Sequence, residues 1–217
     1  VGEGRTLHLI GVHDRDNAES ETARTTVMTQ FDGRTGPLRY RVEAASQVGT
    51  VQGLDVTSGS LLAFYAALPW AAGRGTVGIG VDRYGGDATP EAGQTAGFSD
   101  LFGRNHRFLG FADLFNDPRA NLDGRGLVDL DLRATWRVRP GLRFRADYHR
   151  FTLVDAAGFD GGTLADEIDV EIWGEILDGL DIRAGGVWVG AEEPLAVLGR
   201  STGDQLFGFL QLSAGFW

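Results

Sequence analysis

Alternation of apolar and polar residues is the strongest pattern in this chain. From Val128 to Val138 every even residue is apolar, while every odd residue is aspartate, arginine or threonine. Strict alternation over about eleven residues is typical of a β-strand with two chemically different faces and excludes an amphipathic helix. The pattern returns in residues 141–152, after Pro140-Gly141, and again in residues 166–177. The sequence therefore predicts a sheet of long, two-faced antiparallel strands.

The predicted strands are long enough to cross a membrane. Each spans about eleven to thirteen residues, whereas strands of globular proteins average about five or six and a tilted membrane-crossing strand needs about nine to eleven. No run in the sequence approaches the roughly eighteen apolar residues of a transmembrane helix. We therefore expect an all-β fold, a transmembrane antiparallel β-barrel that forms a single domain over residues 1–217, with apolar side chains toward lipid.

Turn signals divide the chain into about ten strands. The predicted ranges are 5–13, 24–32, 38–48, 59–68, 75–83, 126–139, 141–152, 166–177, 179–190 and 205–217. Short turns alternate with longer polar stretches at 14–23, 49–58, 84–125, 153–165 and 191–204. Because outer-membrane barrels have short periplasmic turns and long external loops, both termini are expected on the periplasmic side. Residues 84–125, including Phe108–Phe115, are predicted to form a long external loop that either covers the mouth or folds into the lumen.

Composition and charge narrow the function classes. The chain has a formal net charge of −10, 33 glycines and no cysteine. It carries no basic nucleic-acid patch, phosphate loop or zinc motif, so no nucleic acid, metal or cofactor is expected. His106 with Asp100, His13 with Asp14, and His149 with Asp147 offer acid–base pairs, but no nucleophile motif accompanies them. We therefore expect no enzymatic activity.

Several segments, taken in order, resemble a known family. They are Leu101–Asp113, Leu142–Phe151 and Asp166–Val170, with Tyr40–Gln47 and Val77–Gly86 upstream. Together they look like the carboxyl-terminal half of the alginate-export family of outer-membrane porins. The family barrel is larger, with roughly eighteen strands. The chain is thus either a shortened ten-stranded relative, which is the expectation here, or the back part of a bigger barrel.

The resemblance implies passive passage of anionic solutes, or export of an acidic polysaccharide such as alginate, across the outer membrane of a Gram-negative bacterium. The candidate residues of the lumen and substrate path are Arg133, Arg137, Arg143, Arg145, His149, Arg39 and Arg41. Their expected acidic partners are Asp129, Asp131, Asp147, Glu167, Asp169 and Glu171. Opposite charges on neighbouring strands stabilise a sheet, so the same residues also fit a ladder that fills the interior. The alternative function is therefore a non-conducting barrel with a structural or partner-binding role through its loops.

The chain ends on two aromatic residues. The strand-like segment 205–217 finishes with Phe216 and Trp217. The resemblance implies that these residues are the assembly signal read by the barrel-assembly machinery. Outer-membrane lipid and lipopolysaccharide are the other expected partners, with Trp136, Tyr148, Trp188 and Phe216 in the interfacial aromatic girdles.

Overall fold

A computed structural model describes residues 4–16, 21–99, 109–200 and 203–215, and these are almost entirely β. The ten long strands are β1 Thr6–Asp16, β2 Thr22–Thr35, β3 Leu38–Val51, β4 Leu54–Trp70, β5 Gly75–Tyr84, β7 Leu127–Arg139, β8 Leu142–Leu153, β9 Thr163–Leu177, β10 Leu180–Ala191 and β11 Gln205–Ala214. A two-residue strand, β6 (Gln94–Thr95), and three short helices, Ala71–Gly73, α1 Pro118–Asn121 and α2 Glu193–Val197, complete the elements. No described helix has the length and apolarity needed to cross a membrane.

The long strands form one antiparallel, barrel-like sheet. Each pairs with the next in the order β1-β2-β3-β4-β5-β7-β8-β9-β10-β11, and β6 adds to β4 in parallel. Among the described residues no strand pairing joins β1 to β11. The predicted all-β fold with long antiparallel strands is confirmed, and its boundaries agree within a few residues for most strands.

The two faces of the sheet reverse the arrangement of a soluble protein. On β7 and β9, Leu132, Trp136 and Ile168 are 47%, 42% and 44% exposed. Asp129 and Asp147, which have the opposite parity, are each only 2% exposed. Exposed apolar surface this extensive is stable against lipid rather than water. The sheet therefore has an apolar outer face and a polar inner face.

One predicted external loop is absent from the structure. Residues 49–58 were expected to form a long connection, but β3 runs to Val51 and β4 begins at Leu54. Gln52 and Gly53 make the turn with φ of 54° and 75°. Positive φ at both central residues matches a type I′ hairpin turn, whose twist fits antiparallel strands. The polar residues beyond this point are thus the ends of strands rather than a loop.

The connection between β5 and β7, hereafter loop 85–126, packs against the inner face. Its described part contains β6 and α1, and residues 109–115 are not a strand. Leu109, Leu114 and Phe115 are buried, and the Phe115 ring lies 4.7 Å from that of Phe151 on β8. The same apolar cluster includes residues of β3, β4, β8, β9 and β10. The loop is therefore folded inside the curve of the sheet.

Candidate functional site

A belt of charged side chains crosses the middle of the inner face. Strand alternation places them on this face, and the register sets Asp131 opposite His149 and His149 opposite Glu167. One step away, Arg133 is opposite Asp147 and Asp147 is opposite Asp169. We call this set the charged belt. Its members are Asp129, Asp131, Arg133, Arg145, Asp147, His149, Glu167, Asp169 and Glu171.

Ion pairs hold much of the charged belt together. The Arg133 Nε lies 3.3 Å from a carboxylate oxygen of Asp147, and Arg145 contacts the other Asp147 oxygen. Glu171 pairs with Arg183 on β10 at 2.5 Å. Because both partners of Asp147 are arginines, this buried carboxylate is compensated where it lies. The middle of the wall therefore follows the charge-ladder arrangement in part.

Two acids of the belt bind the loop rather than an arginine. The backbone N–H of Phe111 donates to Asp169 Oδ2 at 3.0 Å, and that of Ala112 donates to Glu167 Oε1 at 2.9 Å. Gly110 precedes them with φ of 79° and lies so close to Glu167 that a Cβ would approach Oε1 to 2.4 Å. The sequence analysis expected Glu167 and Asp169 to partner the basic path residues, whereas in the structure each accepts a hydrogen bond from a loop amide.

The loop is also held at β2 and β3, on the same inner face, by residues that were not among the candidates from the sequence. Gln47 on β3 is completely buried, accepts a hydrogen bond from the Ser99 N–H and donates one to the Ser99 carbonyl, both at 3.0 Å. Arg24 on β2 donates to the same carbonyl at 3.2 Å. Gln47 occupies an inward position by alternation, which is the only signal that the sequence offers for it. The described parts of the loop thus contact the wall at both β3 and β9.

Three candidate arginines lie at the end of the sheet that carries the short turns 36–37, 71–74, 140–141 and 178–179, which we call the turn end. Arg39, Arg137 and Arg143 are exposed and form no ion pair with any residue that the structure describes. Arg137 and Arg143 face each other directly across β7 and β8. These guanidinium groups are therefore available to a ligand.

A cavity of about 250 Å³ opens on the sheet beside Arg39. Its lining includes Arg39, Arg41 and Arg133, with Asp32 and Asp131. Arg41 is partly compensated, because its Nε lies 2.8 Å from Asp32 and its Nη1 lies 3.6 Å from Glu43. Of the seven candidate path residues, Arg39, Arg41, Arg137 and Arg143 thus lie at or near the turn end, and the other three, Arg133, Arg145 and His149, belong to the charged belt. His149 is 1% exposed and inaccessible from the cavity side.

The candidate assembly signal, Phe216 and Trp217, lies outside the described residues. Two of the predicted girdle residues, Trp136 and Trp188, lie on the outer face of the sheet. Trp136 stacks edge-on against Trp70 of β4 with ring centroids 5.5 Å apart, near the turn end. Trp188 lies on the same outer face, toward the opposite end of β10.

A barrel-like antiparallel wall with an apolar outer face and a charged inner face is the arrangement of a membrane-embedded β-barrel protein. The family model for alginate export matches residues 6–171 of this chain. The chain therefore belongs to the alginate-export family, as the resemblance predicted, and an export or porin role in general follows. A search of curated proteins gives no match.

Proposed function

We propose that the chain forms the wall of an outer-membrane pore that passes anionic solutes or an acidic polysaccharide such as alginate. The proposal rests on the unpaired Arg137 and Arg143, which face each other at the turn end. Like charges directly opposite one another destabilise a sheet. A carboxylate between them relieves this repulsion, and guanidinium groups bind carboxylates with two parallel hydrogen bonds.

The distribution of charge along the inner face supports passage rather than tight binding. Arg39, which lines the 250 Å³ cavity, adds another exposed guanidinium group at the turn end. Exposed Glu175 and Asp181 face each other on β9 and β10, so the cationic surface is confined to β3–β8. An anion held by a few exposed guanidinium groups in water is released easily, since each such pair contributes only about 0–1 kcal/mol.

Reversal potentials in planar lipid bilayers test this proposal. Arg137→Glu with Arg143→Glu should abolish or reverse anion preference, and the corresponding Gln substitutions should give an intermediate result. Arg150→Glu is the control, because it makes the same type of substitution, with half the charge change of the double variant, at an exposed residue on the outer side of β8. An unchanged reversal potential in the Glu double variant would exclude these arginines from the permeation path.

Loop 85–126 favours a second function, a non-conducting barrel with a structural or partner-binding role. The loop is bonded both to β3 through Ser99 and to β9 through Phe111 and Ala112, so it lies across the interior. Under this proposal the wild-type protein shows no unitary conductance, and replacing residues 88–122 with a short Gly-Ser linker creates one. Steady conductance of the wild-type protein that is equal to that of the deletion variant would contradict it.

The proposed partners follow from the outer face. We expect lipid and lipopolysaccharide to cover Leu132, Trp136 and Ile168, and we expect the barrel-assembly machinery to read Phe216 and Trp217. These partners are common to both proposed functions. They support localisation in the bacterial outer membrane, which fractionation of expressing cells would test.

A further inference from the structure

A buried cluster of potential metal ligands lies within the charged belt. Asp147, His149 and Asp169 each place one ligand atom within 4.8 Å of the others. Asp147 and Asp169 are opposite one another on β8 and β9, and His149 is two residues along β8 from Asp147. All three side chains are buried. Two ligand atoms bound to one ion by bonds of about 2.0–2.2 Å lie at most about 4.4 Å apart. The three ligand atoms here, within 4.8 Å of one another, are close to that spacing.

The imidazole of His149 has the orientation of a metal ligand. Its Nδ1 lies 2.9 Å from a carboxylate oxygen of Asp129, so this nitrogen is occupied. Its Nε2 is buried and has no hydrogen-bond partner in the described part of the chain. A histidine that binds metal through one nitrogen usually donates its other N–H to a carboxylate or carbonyl, which fixes the ring. The Asp129–His149 pair provides this arrangement.

Unsatisfied carboxylate oxygens converge on the same place. Asp169 uses Oδ2 and Glu167 uses Oε1 to accept loop amides, while the second oxygen of each is buried without a partner among the described residues. Asp147 is contacted by Arg133 and Arg145. Buried polar atoms are rarely left unpaired in folded proteins. The unpaired Nε2 of His149 and the unpaired second oxygens of Glu167 and Asp169 therefore indicate a ligand in this part of the belt.

The charge of the belt has the sign that attracts a cation. Among the described residues, its six buried acids outnumber the three guanidinium groups that contact them, those of Arg133, Arg145 and Arg183. These acids are Asp129, Asp131, Asp147, Glu167, Asp169 and Glu171. Buried charges of one sign need compensation, and a divalent ion supplies it within a small volume.

We propose that Asp147, His149 and Asp169 bind one divalent transition-metal ion, with Asp129 as the positioning residue for the imidazole. One imidazole with carboxylates suits Mn²⁺, Fe²⁺ or Zn²⁺, whereas Ca²⁺ and Mg²⁺ prefer sites of oxygen alone. Because Asp169 also accepts the Phe111 amide, the ion links β8 and β9 to loop 85–126. Its role is to hold the loop against the wall.

Metal binding to the refolded chain, produced without a histidine tag, tests the proposal. After chelator treatment, equilibrium dialysis with Mn²⁺ or Zn²⁺ should give one tightly bound ion per chain, and Ca²⁺ should bind at least about 10-fold more weakly. His149→Ala should weaken binding at least about 100-fold, and Asp129→Asn about 10- to 100-fold. A variant with His8, His13 and His106 all replaced by Ala is the control and should bind as wild type.

Several outcomes would overturn the site. They are the absence of stoichiometric binding to wild type, undiminished binding in His149→Ala, and loss of binding in the control variant with three substitutions. Should His149→Ala fail to refold, electron spin echo spectra of Mn²⁺ bound to the control variant decide the question, because His149 is its only histidine. Modulation from an imidazole nitrogen supports the site, and its absence refutes it.

Discussion

The outer face of β7 gives the sharpest test of the membrane arrangement. Leu132 is 47% exposed, lies beside the midpoint of Leu127–Arg139, and contacts lipid if this face does. Arginine at the bilayer midplane of a barrel costs roughly 2 to 4 kcal/mol, and near the interface about 0 to 1. We therefore expect Leu132→Arg to lower the free energy of unfolding by about 2 to 4 kcal/mol.

Depth provides an internal comparison on the same strand. Val138 is also exposed and lies six residues from Leu132, about 20 Å along the strand and roughly 14 Å in depth at 45° of tilt. Val138→Arg should therefore cost only about 0 to 1 kcal/mol. Leu132→Met controls for loss of shape, and Arg137→Leu controls for a change on the inner face. Both controls should stay within about 0.5 to 1.5 kcal/mol of wild type.

Urea unfolding of the protein in lipid bilayers, followed by tryptophan fluorescence, measures these differences. With a slope of about 1 to 3 kcal/mol per molar, Leu132→Arg should lower the urea midpoint by about 0.7 to 4 M. Equal costs for arginine at positions 132 and 138 would refute a depth-dependent apolar environment. A cost below about 0.5 kcal/mol at Leu132 would show that this face does not contact hydrocarbon.

Three further predictions concern the end of the chain and the loop. Deleting Phe216 and Trp217 should sharply reduce membrane insertion in cells but leave refolding in detergent largely intact; equal loss in both assays would indicate a packing role only. Gly110→Ala should destabilise the docked loop by about 1 to 3 kcal/mol, because its Cβ would lie 2.4 Å from a carboxylate oxygen of Glu167 on β9. Gly93→Ala is the control: Gly93 also has a positive φ, of 80°, but an added Cβ would meet no atom within 4 Å, so only the cost of the backbone conformation is expected. The rate at which a protease cleaves the loop measures the difference between the two variants. Hydrogen bonds from the backbone amides of Ala88 and Ala157 lower the pKa of Asp155 from 3.8. These bonds should therefore persist at neutral pH and be lost as the pH falls through the lowered pKa. The NMR shifts of the two amides should titrate below pH 3.8, and Asp155→Asn should remove this titration.

The wall of the fold was predictable because alternation alone determines which face each side chain occupies. The parity of residues 128–138 assigned Asp129 and Asp131 to the interior and Leu132 to the exterior, as observed. The β3–β4 turn was missed because Gln52-Gly53 is a less familiar I′ sequence than Asn-Gly and is followed by polar residues of β4. Local pattern therefore identified the strands but not every turn.

The partners of the charged residues were not predictable to the same extent. Asp147 has arginines both on β7 and on its own strand, and only three-dimensional packing decides between them. The loop contacts join residues more than fifty positions apart, as between Ala112 and Glu167 or between Gln47 and Ser99. Alternation contains no information about such pairs, because it describes a strand and not what lies against it.

The way in which loop 85–126 is docked has a consequence for its evolution. Gln47, Glu167 and Asp169 bind the main chain of the loop, and every residue except proline offers the same backbone N–H and C=O groups. Substitutions other than proline at Ser99, Phe111 or Ala112 therefore leave the hydrogen bonds available, whereas substitutions at the three wall positions remove them. The loop is free to diversify its surface chemistry while keeping its path through the interior, and selection on that path acts on the strands.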